Sequence, residues 1–167
     1  MGYFKHTSMN NAYLLIGGNM GDRLANLTSA IKAIEAHIGN IIQHSSIYET
    51  AAWGMEDQPS FLNQALLIET NFEAEDLLNN LLKIEIQMGR IRNQPLGPRT
   101  IDLDIIFFND QIIHSETLSI PHPHMQKRNF VLNPLNEIAP EFIHPVFNKT
   151  IHQLLIDCTD SLLCIKK

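Results

Sequence analysis

A strand-like apolar run, IDLDIIFF at positions 101–108, carries two carboxylates and most constrains what this chain can fold into. Because side chains alternate between the two faces of a strand, we expect Asp102 and Asp104 on one face, about 7 Å apart. Two neighbouring carboxylates repel each other unless they are protonated, paired with a cation or bridged by a metal ion. Mg²⁺ prefers oxygen ligands, and such a site leaves room for phosphate oxygens. The run therefore predicts metal-assisted phosphate chemistry; the alternative is solvated edge charges or an ion pair with Arg99.

The arginines of the chain are concentrated around this run. The net charge of −6 argues against nucleic-acid binding, because such binding depends on a basic surface. Four of the five arginines nevertheless lie between positions 90 and 128, at Arg90, Arg92, Arg99 and Arg128. A Gly97-Pro98 turn fixes the angle at which Arg99 leaves the chain. This concentration favours a small polyanion such as a nucleoside triphosphate; the alternative is surface arginines that pair with the excess acids.

Length and composition favour one domain. A chain of 167 residues, 44% of them apolar, can bury one sizeable core. We expect a single domain over residues 12–167, preceded by an N-terminal extension, residues 1–11, that can be disordered. No apolar run is long enough to span a bilayer, and residues 1–11 lack the apolar stretch of a signal peptide. We therefore expect a cytoplasmic protein without a membrane partner, and a monomer. Cys158 and Cys164 fit reduced thiols better than a disulfide framework.

Hydrophobic periodicity predicts the order of the helices and strands. Strands are expected at residues 13–16, 41–49, 61–70 and 101–108, with a short return strand at 111–114. Asp22 is expected to cap a first helix, whose apolar positions are Leu24, Leu27, Ile31, Ile34 and Ile38. A second helix is expected from near residues 71–74 to Gly89. After Leu118, prolines favour short helices and loops, with a helix at 151–158. The order β-α-β-β-α-β is that of a ferredoxin-like α+β fold, an antiparallel sheet with helices on one face.

Three further motifs have competing interpretations. Residues 17–21 (GGNMG) follow a strand, but they lack the Gly-Lys-Ser/Thr of a phosphate loop and the G-x-G-x-x-G spacing, so we interpret them as a tight turn. Phe61 and Asn63 share a strand face and, with Phe130, could form a slot for a heterocycle; the alternative is that both phenylalanines are core residues. His122 and His124 could bind zinc, but suitably spaced further ligands are missing.

Several segments together resemble one enzyme family. Residues 97–105 (GPRTIDLDI) resemble the signature of the 6-hydroxymethyl-7,8-dihydropterin pyrophosphokinases, and residues 13–22 (YLLIGGNMGD) resemble the opening strand and turn of that family. Similar agreement extends to residues 46–63, 84–92 and 121–140, in the family's order. The resemblance implies a ferredoxin-like core with C-terminal additions. It also implies an ATP-dependent transfer of pyrophosphate to a pterin alcohol, which releases AMP in folate biosynthesis.

The resemblance also implies roles for individual residues. For catalysis it points to Arg90, Arg99, Asp102 and Asp104, and for two Mg²⁺ ions to Asp102 and Asp104. For ATP it points to Glu85, Arg90, Arg92, Arg99, Ile105, Ser119, His122 and Arg128. For the pterin it points to Thr50, Trp53, Gly54, Phe61, Asn63, Asp102 and Phe130. The segment after Arg92 corresponds to a loop that closes over ATP in the family, and Leu96 stands where some members carry tryptophan.

Two other functions could use the same residues. A ferredoxin-like nucleotide sensor would bind ATP without forming AMP. A metal-dependent nucleotidyltransferase would release pyrophosphate from ATP with the same D-x-D pair. The product formed from ATP therefore distinguishes the three hypotheses. In the favoured one, Asp102 is the candidate for a general base, because the resemblance places it between metal and pterin.

Overall fold

A computed structural model describes residues 8–52, 57–92 and 95–167. The predicted pterin contacts Trp53 and Gly54 lie outside these ranges.

An antiparallel sheet forms the centre of the molecule. The strands are β1 (Asn10–Gly18), β2 (Gly39–His44), β3 (Tyr48–Thr50), β4 (Phe61–Thr70), β5 (Asp102–Phe108), β6 (Ile113–His114), β7 (Ser119–Ile120) and β8 (Cys164–Lys166). The main sheet has the order β5-β1-β4-β3-β8, and β2 pairs with the other half of β4. A separate pair consists of β6 and β7.

Helices cover both faces of this sheet. They are α1 (Arg23–His37), α2 (Ala74–Gln87), α3 (Asn129–Ile138) and α4 (Ile151–Asp157). The core between α1, α2 and the sheet includes Leu14, Ile16, Leu27, Ile34, Leu77 and Leu81. The core beneath α3 and α4 includes Leu15, Ala65, Leu132 and Leu154. The predicted ferredoxin-like α+β fold is confirmed, and the C-terminal additions cover part of the second face. In the ranges given above, no helix has the length and apolar character needed to cross a membrane.

The second predicted strand, residues 41–49, is in fact two strands. β2 ends at His44 and β3 begins at Tyr48. Between them, the Ser45 N–H donates to the Ala65 carbonyl at 2.9 Å, and the Ala65 N–H donates to Ser45 Oγ, also at 2.9 Å. A side-chain oxygen thus takes the place of a main-chain acceptor and interrupts the ladder. Serine hydroxyl groups commonly compete in this way with main-chain carbonyls for N–H donors.

The predicted return strand, residues 111–114, was wrong in length and partner. Only Ile113 and His114 form a strand, and they pair with β7 instead of β5. Asn109 has a positive φ of 48° and exchanges hydrogen bonds with Asn11 of β1, so the turn after β5 closes towards β1. Leu24 is also not a core position, since it is 56% exposed in the first turn of α1. The buried positions of that helix are Leu27, Ala30 and Ile34.

Candidate active site

Strand register brings the predicted acidic and pterin-side residues together on one sheet face. Gly17 of β1 lies opposite Asp102 on one side and opposite Asn63 on the other, and Leu15 lies opposite Asp104. A Cβ at Gly17 would lie 2.0 Å from Asn63 Oδ1. Glycine at position 17 therefore leaves the space that the Asn63 amide occupies.

This sheet face forms one wall of a pocket of about 610 Å³, a volume that includes the solvent at its mouth. Its lining residues are Leu15, Gly17, Thr50, Ala51, Phe61, Asn63, Leu96, Arg99, Asp102, Asp104, Arg128 and Phe130. The mixture of aromatic rings with a few polar groups is typical of small-molecule sites. The aromatic and acidic residues predicted from the sequence thus share one pocket.

Asp102 lies between two arginines. Arg90 donates to its Oδ1 at 2.5 Å, and Arg99 donates to its Oδ2 at 2.8 Å. Arg90 reaches this position because Gly89, with a φ of 85°, lets the chain turn directly after α2. The ion pair between Arg99 and Asp102 that the sequence left open as an alternative is therefore present. It lies inside the pocket.

Glu85 connects the end of α2 to β5. Its carboxylate is buried, accepts from the Leu103 N–H at 2.8 Å, and pairs with Arg90 at 2.8 Å and with Arg92 at 2.9 Å. Burial raises the pKa of Glu85 above its ordinary value, while the Leu103 N–H and the two arginines oppose that rise. Burial alone would lower the pKa of Arg90, but the carboxylates of Asp102 and Glu85 raise it. Glu85 therefore holds two arginines that line a neighbouring cavity, which shares Leu96 and Arg99 with this pocket.

Asp104 has the most perturbed carboxyl group of the site. Burial, and then the carboxylates of Asp102 and Glu85, raise its pKa to about 8, against the opposing effect of Arg90 and Arg99. A divalent cation would reverse this balance, because it favours the ionised form. Two neighbouring carboxylates with room beside them suit Mg²⁺, which keeps other ligands from phosphate or water. The donor set of Asp102 and Asp104 therefore fits Mg²⁺.

Each predicted stacking phenylalanine lies against an arginine. The Arg99 guanidinium carbon is 5.2 Å from the centre of the Phe61 ring, and that of Arg128 is 5.7 Å from the centre of the Phe130 ring. Both rings are only partly buried and line the pocket, so they are not simply core residues. Arg99 Nε is buried and has no hydrogen-bond partner in the described ranges, so this guanidinium keeps an unused donor.

His122 presents a neutral imidazole. Burial, followed by the charge of Arg128 and by His124, lowers its pKa to about 4. The His124 N–H donates to His122 Nδ1 at 3.3 Å, so the ring proton is on Nε2, which can donate to a ligand. Among the described residues, His122 and His124 do not belong to a group of three or more His, Cys, Asp or Glu side chains, and a structural zinc site needs four ligands.

Of the eight predicted ATP contacts, Arg99 and Arg128 line this pocket, and the others are not among its lining residues: Glu85, Arg90, Arg92, Ile105, Ser119 and His122. The Ile105 side chain packs in the core beneath α1 and α2, on the face opposite Asp102 and Asp104, because alternate residues of a strand point in opposite directions. Ser119 is partly buried in β7, where it pairs with His114. Leu15, Gly17 and Ala51 line the pocket but were not predicted as site residues, since only the strand register brings them there.

Comparison with known proteins gives a consistent result. Residues 13–140 match the family model described as 7,8-dihydro-6-hydroxymethylpterin-pyrophosphokinase (HPPK). The 2-amino-4-hydroxy-6-hydroxymethyldihydropteridine pyrophosphokinase of Aquifex aeolicus is 37% identical over 156 residues, which are 93% of this chain and 97% of that protein. The Synechocystis protein of the same name is 44% identical over 147 residues, which are 86% of this chain and 75% of that protein.

A solved structure also shares the fold. Wild-type HPPK-DHPS of Plasmodium falciparum with STZ-DHP superimposes with a TM-score of 0.74 at 21% identity. The match covers 90% of this chain, which spans 43% of the length of that chain.

Proposed function

This chain belongs to the HPPK family, and we propose that it transfers the pyrophosphoryl group of ATP to the hydroxymethyl group of 6-hydroxymethyl-7,8-dihydropterin, releasing AMP, in folate biosynthesis. One observation carries the proposal for these particular residues. Asp102 and Asp104 share a pocket with two phenylalanines and two arginines, so a metal-binding face and an aromatic slot adjoin each other. In this proposal a triphosphate lies against the metal-binding face and a flat heterocycle lies in the adjoining slot.

The pterin occupies the aromatic end of the pocket in this proposal. Phe61 and Phe130 stack on its ring, and Asn63 reads the donor and acceptor edge with its amide. Thr50, 3% exposed, lies opposite Phe61 in the β3–β4 ladder and contributes main-chain contacts. Trp53, Gly54 and Asp102 complete the set that the family resemblance assigns to the pterin.

ATP occupies the arginine-rich side. Arg90, Arg92, Arg99 and Arg128 offset the phosphate charges, and their planar guanidinium groups suit phosphate oxygens. His122 donates to a phosphate oxygen as a neutral group. Glu85 contributes by holding Arg90 and Arg92. The family resemblance also assigns Ser119 and Ile105 to the nucleotide, and Ile105 would offer its main chain because its side chain is in the core.

Asp102 and Asp104 hold two Mg²⁺ ions in this proposal. When bound, these ions neutralise phosphate charge and orient the reacting groups. The chain itself contributes positioning and electrostatic stabilisation, which supply most of the rate enhancement in phosphoryl-type transfers. The pterin hydroxymethyl oxygen attacks the β-phosphorus of ATP and AMP leaves. Asp102 is the candidate to accept the proton of that hydroxyl group.

We also propose that the enzyme works in the cytoplasm as a monomer, through the single domain of residues 12–167. Its partners are then the two small-molecule substrates, with neither nucleic acid nor a membrane.

Product analysis tests the proposed function. The protein is incubated with ATP, Mg²⁺ and 6-hydroxymethyl-7,8-dihydropterin, and AMP and pyrophosphate are separated by ion-exchange chromatography. We expect AMP in a one-to-one ratio with pterin pyrophosphate. Release of free pyrophosphate would instead indicate a nucleotidyltransferase, and ATP binding without turnover a sensor. Asp102→Asn should lower kcat by ~100-fold or more, whereas Asp110→Asn, in an exposed turn, should not change it.

A further inference from the structure

Asn19, directly after β1, is a buried polar residue that the assigned roles do not use. It is 2% exposed. Its side-chain Oδ1 accepts from the Arg99 N–H at 2.9 Å, and its own N–H donates to the Arg99 carbonyl at 2.9 Å. Its Nδ2 donates to Gln58 Oε1 at 3.1 Å and to the Pro59 carbonyl at 3.0 Å. A primary amide is the group that can accept on one side and donate twice on the other.

The partners of Asn19 lie directly beside the two halves of the pocket. Arg99 contacts Asp102 on the acidic side and the ring of Phe61 on the aromatic side. Pro59 is two residues before Phe61, at the entry to β4. Asn19 therefore ties the main chain of a phosphate-side arginine to the segment that places an aromatic side chain.

Gln58 extends this connection to the segment before Arg99. Its Nε2 donates to the Leu96 carbonyl at 2.9 Å. Leu96 has a positive φ of 59°, which is uncommon for a side chain of this kind and needs support from its surroundings. Leu96 also lines the pocket beside Phe61. The two amides, Asn19 and Gln58, thus hold Leu96, Arg99 and Pro59 to one another, and we call this pair the amide bridge.

The amide bridge requires the main chain after β1 to lie close to the segment around Arg99, and Gly18 allows this approach. A Cβ at Gly18 would lie 2.2 Å from the Thr100 carbonyl oxygen. Only glycine at position 18 lets the end of β1 lie so near the segment that carries Arg99. In residues 17–19 (GGN), Gly18 therefore allows the close main-chain contact, and Asn19 supplies the amide that hydrogen-bonds to Arg99.

We infer that Asn19 and Gln58 are positioning residues for the transfer reaction, since they fix the main chain that carries Arg99 relative to the segment that places Phe61. The inference rests on the proposed function, in which Arg99 binds phosphate and Phe61 binds pterin. Neither Asn19 nor Gln58 is among the residues that line the pocket. Because a displacement of ~1 Å of a catalytic group can cost ~100-fold in rate, loss of the bridge lowers kcat more than it raises either KM.

The experiment compares Gln58→Met, Asn19→Asp and the double variant. Methionine keeps the length of Gln58 at a partly exposed position and removes both of its hydrogen bonds. Aspartate at position 19 keeps the acceptor for the Arg99 N–H but faces the Pro59 carbonyl with a carboxylate. Asn26→Asp is the matched control, because Asn26 is half-buried and its amide donates to the Met20 carbonyl within the same turn. The readouts are kcat, both KM values from AMP formation, and Tm.

We expect each single variant to lower kcat by ~10-fold or more, with less than a threefold change in either KM. The double variant should be no slower than the worse single variant, because both disrupt one unit. Tm of Gln58→Met should fall by no more than ~8 °C, since the two hydrogen bonds of Gln58 contribute ~1 kcal/mol each. If Asn19→Asp does not fold, Gln58→Met alone decides.

The inference is overturned if Gln58→Met retains at least half of the original kcat. It is also overturned if the Tm of Gln58→Met falls while kcat per folded molecule is unchanged. Arg99→Ala separates this result from the proposed function. If Arg99→Ala is inactive and Gln58→Met is fully active, the amide bridge has no positioning role and the proposed function stands. If Arg99→Ala retains full activity, Arg99 does not have the proposed role in phosphate binding, and the inference about the amide bridge is refuted as well.

Discussion

Replacement of Asp104 by asparagine is expected to stabilise the protein in the absence of ligands and to abolish its activity. Burial and the neighbouring carboxylates raise the pKa of Asp104 to about 8, from an ordinary value of 3.8. Between these two values the folded protein holds a proton that the unfolded chain has released. The free energy of unfolding therefore falls as the pH rises through this interval. Asparagine has nearly the same shape and no ionisation, so Asp104→Asn removes this unfavourable contribution.

The size of the effect follows from the pKa difference. Each pKa unit corresponds to ~1.4 kcal/mol, so retention of the proton at pH 7 costs up to ~4 kcal/mol. Asp104 is only partly buried by its surface area and faces the pocket, so water reduces this cost and we expect a gain of ~1–3 kcal/mol. For a chain of this length that corresponds to a Tm increase of ~3–10 °C.

Urea unfolding between pH 5 and 9, with EDTA present, measures this gain. The difference in the free energy of unfolding between Asp104→Asn and the unaltered protein should grow from pH 5 to pH 8 and then level off. Asp110→Asn, which changes an exposed carboxylate, should show no such growth. AMP formation by Asp104→Asn should fall by ~100-fold or more. A variant that is less stable than the original protein at pH 8, or a difference independent of pH, would refute the electrostatic argument.

Three further results are expected. Gly17→Ala would place a Cβ 2.0 Å from Asn63 Oδ1 and 2.7 Å from the Leu62 carbonyl oxygen. It should raise the KM for the pterin by ~10-fold or more, since the amide and the adjoining strand must move; steady-state kinetics with an unchanged KM would contradict this placement. Phe61→Ala should weaken binding of 6-hydroxymethylpterin by ~10–100-fold in a fluorescence titration, with little change in ATP binding. Because burial, followed by the charge of Arg128, lowers the pKa of His122 to about 4, the KM for ATP should have no His122-dependent step between pH 5.5 and 8. A step near pH 6.5 that disappears in His122→Gln would show that His122 binds ATP as a cation.

Features that depend on a few consecutive residues could be predicted from the sequence. The shared face of Asp102 and Asp104 follows from strand alternation alone, and it is confirmed by their register opposite Gly17 and Leu15. The Asp22 cap is likewise local, because its carboxylate accepts from the Ala25 N–H three residues later. Such features need no knowledge of which strands are neighbours.

Features that depend on distant pairing could not be predicted in the same way. A register shift between Tyr13 and Leu14 interrupts the alternation of the β1–β5 ladder. As a result, Ile106 and Phe107, although consecutive, both belong to the core beneath α3 and α4. β8 also escaped prediction, because a three-residue strand has no periodicity and forms only where β3 offers it a free edge.

The ion pairs of the site are the clearest example of what tertiary structure adds. The sequence shows that arginines and acids are concentrated in the same part of the chain. Only the fold shows that Arg90 bridges Glu85 and Asp102. This bridge requires α2 to end opposite the beginning of β5, which the hydrogen bond from Leu103 to Glu85 secures.

A pocket that must accept both a divalent cation and a polyphosphate needs both signs of charge close together. The acids and arginines of this site satisfy one another in the structure, which lowers the cost of burying each of them. Glu85 and Asp104 are the exceptions, because burial raises the pKa of each despite the neighbouring arginines, and the rise is large at Asp104. The same imbalance gives a cation its advantage at this position, since a buried carboxylate gains more from a metal ion than a solvated one does. The instability expected of Asp104 and its proposed role in metal binding thus have one physical cause.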